Sequence, residues 1–296
     1  MTIGKRIFLF VLVNAFVLIT LSIVFNILTA VFGIPVGYPY LIAYSLIFGF
    51  GGAFISLLMS KWIAKRAMGV QVIDPNTQDP TLRPLVDMIY GLARRAQLPK
   101  MPEIGIYQSQ EVNAFATGPS KRNALVAVST GLLSRMDIDQ IEGVLGHEIT
   151  HVANGDMVTM TLLQGVINSC VYFLANIVAN SIAGNRRNSG LIRFGLVFAL
   201  EIAFSFLGML VISAFSRKRE FRADAGGAKY AGREKMISAL RALEGMQALV
   251  DPTDRALASF KIAGRPRSAI MAILATHPPL EERIRRLERN SIETGR

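Results

Sequence analysis

Apolar residues in this chain follow two kinds of pattern: long runs almost free of charge, and stretches where apolar and polar positions alternate at helical or strand spacing. No charged residue occurs from Ile7 to Val31, a length that spans a bilayer and exceeds the apolar core of a cleavable signal. A second run, Tyr38 to Ser60, follows the turn Gly33-Ile34-Pro35-Val36-Gly37, so the two predict a transmembrane hairpin. The third run covers Val158 to Ala183 and the fourth Phe194 to Phe215. Asn168, Asn176, Asn180 and Glu201 lie inside this later pair, and polar residues in a span usually face protein or water. The pair either crosses the bilayer or lies as a shielded hairpin, and crossing is the expectation adopted.

The remaining stretches predict a folded part. Leu85, Met88, Ile89, Leu92 and Ala96 recur at helical spacing. Three strand-like pieces follow, Ile104–Tyr107, Asn113–Thr117 and Ala124–Ser129, with Gly118-Pro119 as a break. A helix is expected from Asp137 to Asn154, with Asp137 as its N-cap and Ile138, Ile141, Leu145, Ile149 and Val152 turned to a core. Helical periodicity returns at Met236, Ile237, Leu240, Leu243 and Met246, and a charged helix surrounds Leu280–Arg289. The expected division is a first hairpin over 1–66, half of a catalytic domain over 67–157, a second hairpin over 158–215 and the other half over 216–296.

Composition sharpens this picture. Apolar residues make up 51% of the 296 positions, and the mean hydropathy of +0.39 exceeds what a soluble domain of this length needs. The net charge of +11 and pI near 10.1 would suit a nucleic-acid partner, but the bases flank the apolar runs: Lys5 and Arg6, then Lys61, Lys65 and Arg66, then Arg217, Lys218 and Arg219. They read as orientation signals that place both ends of the first hairpin in the cytoplasm. Arg186, Arg187 and Arg193, between the later runs, fit that rule poorly. No basic patch interleaved with aromatics is present, so no nucleic-acid partner is expected. The single cysteine, Cys170, excludes an intrachain disulfide and a thiolate metal site.

Candidate chemistry is concentrated in His147-Glu148-Ile149-Thr150-His151. Residues four apart share a helix face, so both imidazoles reach one metal ion, with Glu148 about 100° round from His147 and free to act as a base. That division of labour suits peptide hydrolysis, in which zinc polarises the carbonyl and acidifies water while the glutamate moves the proton. A catalytic zinc needs a third protein ligand and an open position. Glu220 and Asp224 share a helix face just past the fourth run; Glu220 is a candidate ligand and Asp224 a candidate partner for a histidine. The alternative is a juxtamembrane helix of mixed charge. His151 and Glu220 meet only if the intervening runs cross an even number of times.

His147-Glu148-x-x-His151-x-x-Asn154-x-Asp156, followed after a hydrophobic hairpin by Glu220-x-x-x-Asp224, resembles the HtpX-like membrane zinc metalloproteases, relatives of the prenyl-protein CAAX-type endopeptidases. The likeness extends to Asn113-Ala114-Phe115-Ala116, Val128-Ser129-Thr130-Gly131-Leu132 and Thr276-His277-Pro278-Pro279-Leu280. It implies an α-helical integral membrane protein, with four spans in two hairpins and a mainly helical zincin-type α+β domain carrying a small sheet. It further implies His147, His151 and Glu220 as ligands of one zinc per chain, and Glu148 as general base. The expected task is cleavage of misfolded or damaged membrane proteins at the cytoplasmic face of a bacterial inner membrane. The alternative function is a membrane scaffold or holdase with a structural zinc. Three positions carry two readings each. His277 is either an oxyanion-stabilising or metal-capping group, or a helix-entry residue before Pro278-Pro279. Asn113–Thr117 is either an edge strand that pairs with substrate or an interior strand. Glu201 belongs to a hydrophilic chamber or pairs with Asn168 or Gln164. The sequence leaves the oligomeric state open.

Overall fold

The computed structural model describes residues 38–183, 190–249 and 277–294. The run Ile7–Val31, the turn at 33–37 and Lys5, Arg6, Arg186, Arg187 and Thr276 lie outside the described residues. The helices are α1 (Tyr38–Ala67), α2 (Arg83–Arg95), α3 (Thr130–Arg135), α4 (Ile138–Asn154), α5 (Asp156–Ala183), α6 (Gly190–Tyr230), α7 (Arg233–Leu249) and α8 (Leu280–Thr294). The strands are β1 (Gln71–Val72), β2 (Glu103–Tyr107), β3 (Ala114–Ser120) and β4 (Asn123–Ser129). Among the described residues, three helical stretches are long and apolar enough to cross a membrane: Tyr40–Ala67, Asp156–Ile182 and Ile192–Tyr230. Large side chains such as Leu58, Ile192 and Leu207 are exposed on them, which water penalises and lipid does not. The third stretch does not stop at Phe215, because α6 continues unbroken through Glu220 and Asp224 to Tyr230.

The described residues form two compact units, one comprising residues up to Ile55 with Thr161–Ile212, the other Ser56–Met160 with the chain from Ser213 onward. In the first unit the rings of Tyr44 and Phe48 pack on Tyr172, with centroids 5.1 and 5.5 Å away, and Ala175 and Ala179 are wholly buried. Glu201 is buried in this unit, and its Oε1 has no hydrogen-bond partner among the described residues. The alternative in which it pairs with Asn168 or Gln164 is not formed: Gln164 donates to Asn168 at 2.7 Å.

The second unit is built around a four-stranded sheet in the order β1-β2-β4-β3. β2 and β4 run parallel, with Ile104 opposite Val126, while β1 and β3 pair antiparallel at the two edges. β3 runs through Gly118-Pro119, expected to be a break, and shifts register between Thr117 and Ser120. β4 is buried on both faces, which explains its continuous apolar run. Ala124, Val126 and Val128 join Ile104 against Leu85, Val86, Ile89 and Leu92 of α2, Leu145, Ile149 and Val152 of α4, and Met236 and Leu240 of α7. Leu125 and Ala127 face the other way, with Tyr107, Val70 and Ala64 from the end of α1. There Lys61 and Lys65 both pair with Glu103, at 2.8 and 2.7 Å, and Lys61 also donates to Asn123 at 2.6 Å. These lysines fasten α1 to the sheet as well as carrying charge at the end of the span.

α4 starts as its sequence dictates. The Asp137 carboxylate accepts from Gln140 N–H at 2.8 Å and the Gln140 side chain returns the bond to Asp137 N–H, a reciprocal cap that contributes about 1 kcal/mol. Ile138, expected in the core, is instead 71% exposed; in the first turn its side chain projects beyond the packed face. Ile141, Leu145, Ile149 and Val152 are buried as expected. Gly143 lets α7 approach closely, since a Cβ there would lie 2.5 Å from the Lys235 carbonyl oxygen. That oxygen belongs to the backbone and cannot swing aside. Gly143→Ala is therefore expected to destabilise the protein by about 1–3 kcal/mol, read as a fall of several degrees in apparent melting temperature in detergent. An unchanged melting temperature would show that the contact is not tight in solution.

Candidate metal centre

His147 and His151 stand one turn apart on α4, with their Nε2 atoms 3.1 Å apart. α6 brings Glu220 over the pair: one carboxylate oxygen lies 3.3 Å from His147 Nε2 and the other 3.5 Å from His151 Nε2. The three candidate ligand atoms all lie within 4.8 Å of one another, and Glu220 is wholly buried.

The opposite ring nitrogens fix which atoms face inward. His147 Nδ1 lies 2.9 Å from Asp224 Oδ1, and His151 Nδ1 lies 2.6 Å from Asp156 Oδ2. With Nδ1 of each ring turned to a carboxylate, both Nε2 atoms face the Glu220 carboxylate, donating to it when protonated and offering lone pairs to a cation when not. Two Nε2 atoms converging on a buried carboxylate make a place for a cation. Two imidazoles and a carboxylate at this separation are the donor set of a catalytic zinc, so the residues fit that ion.

The electrostatics agree. Burial works against the His147 imidazolium, but hydrogen bonds to Asp224 and Glu220 outweigh it and raise its pKa to about 9. Burial would raise the Glu220 carboxyl, yet His147 and His277 hold it well below the usual carboxylate range. Asp224 behaves likewise: burial opposes its charge, and the Arg283 guanidinium brings it down to about 2. A pocket that raises the proton affinity of a buried histidine carries the negative potential that a divalent ion requires.

Glu148 sits beside this cluster, buried, with Oε2 accepting the backbone N–H of Ala116 on β3 at 3.0 Å. That amide is directed at Glu148 and not at β4, so the Ala116 backbone faces the open side of an edge strand. Of the other positions singled out in that segment, Ala114 is buried under the sheet and Phe115 packs on Tyr107 across the opposite face, with ring centroids 5.6 Å apart. Asn113 precedes β3, and its N–H donates to Ser129 Oγ at 3.1 Å. His277, just before α8, places Nδ1 2.8 Å from Glu220.

The profile of peptidase family M48 matches residues 81–291, a stretch that contains all of these groups. The chain belongs to peptidase family M48.

Relatives cover nearly its whole length. The Protease HtpX homologs of Bacillus licheniformis and Bacillus subtilis are 50% and 48% identical to it, over 96% of this chain and 99% of each relative. Protease HtpX of Shewanella oneidensis is 48% identical with the same coverage. Among solved structures, Ste24p of S. mikatae shares the fold with a TM-score of 0.66 at 19% identity, covering 96% of this chain and 65% of that one. The M48 peptidase is thus a membrane metalloprotease, mostly helical with a small mixed sheet.

Two groups at the site of this M48 peptidase carried no role in the sequence reading. Asp156 stands five positions after His151, beyond the end of α4. Gly155 between them takes a left-handed conformation, φ 72°, which ends the helix and turns the chain so that Asp156 reaches back to His151. Arg283 lies on the buried face of α8, with Leu280, Ile284 and Leu287. It grips Asp224 through Nε at 2.8 Å and Nη2 at 2.6 Å. Arg283 Nη2 is also 3.3 Å from His147 Nδ1, a contact between two donors that share the Asp224 acceptor. An arginine at core spacing on an amphipathic helix was the available signal. Asp156→Asn is expected to weaken zinc binding about 10–100-fold while the protein stays folded, as read by competition with a chelator; wild-type affinity would remove Asp156 from the site.

Proposed function

We propose that this M48 peptidase is a zinc-dependent endopeptidase that cleaves misfolded or damaged membrane proteins at the cytoplasmic face of a bacterial inner membrane. The observation that carries the reading is the convergence of His147, His151 and Glu220 with Glu148 beside them. The uncharged length of Ile7–Val31 supports a fourth span, and the basic residues at the end of α1 support a site on the cytoplasmic side. The names of the HtpX relatives support proteolysis as the activity.

His147, His151 and Glu220 would hold one zinc ion. When bound there, zinc supplies Lewis-acid polarisation of a peptide carbonyl and acidifies water. Glu148 accepts the proton of the attacking water at a carboxylate oxygen and delivers it to the departing amine. A substrate segment extended along β3 pairs with its outward backbone, displacing Glu148 from the Ala116 N–H, and so lies beside Glu148. His277, bonded to Glu220, is the candidate to stabilise charge developing on the carbonyl oxygen. A structural zinc, as a scaffold or holdase would use, requires four protein ligands; the described residues bring three together.

Zinc content and cleavage of an unfolded model substrate, measured on wild type and Glu148→Gln in detergent, test this directly. Both proteins are expected to bind one zinc per chain, with cleavage by Glu148→Gln reduced about 10²–10⁴-fold. Equal cleavage by the two would reject Glu148 as base, and a wild type that takes up no zinc would reject the metal. A second substitution addresses the edge strand. Ala116→Pro removes the N–H that reaches Glu148 and blocks strand pairing, so kcat/KM should fall at least about tenfold with zinc content intact. Little change would exclude β3 as the substrate-pairing strand.

A further inference from the structure

We propose that Arg283 is a positioning residue of the metal centre, fixing Asp224 so that His147 presents Nε2 to the ion; this rests on the zinc reading above. Three elements meet at the Asp224 carboxylate. α6 supplies Asp224 itself, α4 supplies the Nδ1 of His147 at 2.9 Å, and α8 supplies the Arg283 fork at 2.6 and 2.8 Å. Oδ1 receives both His147 and Arg283 Nη2, while Oδ2 receives Arg283 Nε. A carboxylate held by two parallel N–H bonds cannot rotate, so the oxygen facing His147 is always the same one. The imidazole ring is thereby locked in direction and tautomer.

A purely structural role fits these observations poorly. Arg283 is 2% exposed and its Nη1 is buried without a hydrogen-bond partner among the described residues. Burying a guanidinium with one nitrogen unmet is unfavourable, and a well-packed apolar pair stabilises a core at least as well as a buried ion pair. Leu280, Ile284 and Leu287 already anchor α8 in that core. What Arg283 adds is direction. Asp224 at contact distance offsets its charge.

The test uses full-length protein in detergent and zinc dissociation constants from chelator competition, alongside melting temperatures and the visible spectrum of the cobalt-loaded protein. Arg283→Gln is expected to weaken zinc binding about 10–100-fold and to alter the cobalt spectrum. Arg283→Lys keeps the charge but loses the fork, and should recover only part of that affinity. Because Arg283 acts through Asp224, the double variant with Asp224→Asn should bind zinc no more weakly than Asp224→Asn alone. Zinc affinity within about twofold of wild type for Arg283→Gln, with only the melting temperature lowered, overturns the proposal, as do additive losses in the double variant. If Arg283→Gln fails to fold, Arg283→Lys decides: wild-type affinity and spectrum overturn the proposal. A wild type that binds no zinc overturns the metal reading itself.

Discussion

Glu220 has no exposed surface, and a carboxylate taken out of water must be met by donors or positive charge on every side. The site follows from that requirement. Arg219 Nη2 approaches one oxygen at 3.0 Å, beside His151, while His147 and His277 meet the other. The histidines in turn draw in Asp224 and Asp156, and Asp224 draws in Arg283. Signs alternate outward from the centre until the apolar core is reached. Each member shares its partner with another, so the charges of the cluster are compensated together.

The sheet and the core exist to hold this arrangement still. β4 is covered on both faces, so the strand beside it can carry Ala116 to Glu148 without freedom to slide. The parallel pairing of β2 with β4 leaves β3 at an edge, where a further strand can be added. Gly143 and Gly155 act at opposite ends of α4: the first admits α7, the second turns the chain so that Asp156 faces His151.

Much of this was legible in the sequence because it depends on short-range spacing. Two histidines four apart on a capped helix, and Glu220 four before Asp224, define their faces without tertiary knowledge. The apolar runs from Tyr38, Val158 and Phe194 likewise announce long helices. Less visible were features fixed by contacts between elements. The two-residue strand Gln71–Val72 has no periodicity of its own and exists because β2 offers an open edge. Ile138 looked like core by spacing, but the first turn of α4 overhangs its packing partners. Of the two readings of Glu201, pairing with Asn168 or Gln164 failed because Gln164 donates to Asn168 instead. Arg283 resembled its exposed neighbours Arg285 and Arg286 until its place on the buried face of α8 was compared with theirs.

The order in which the chain supplies the site has its own consequence. α4, with both histidines, leaves the ribosome long before α8, which brings Arg283 after the segment that carries His277. A growing chain that has synthesised only as far as α7 already carries His147, Glu148, His151 and Glu220, but not the grip on Asp224 nor the last neighbour of Glu220. The contacts around Glu220 and Asp224 are therefore completed only by the part of the chain that follows α7.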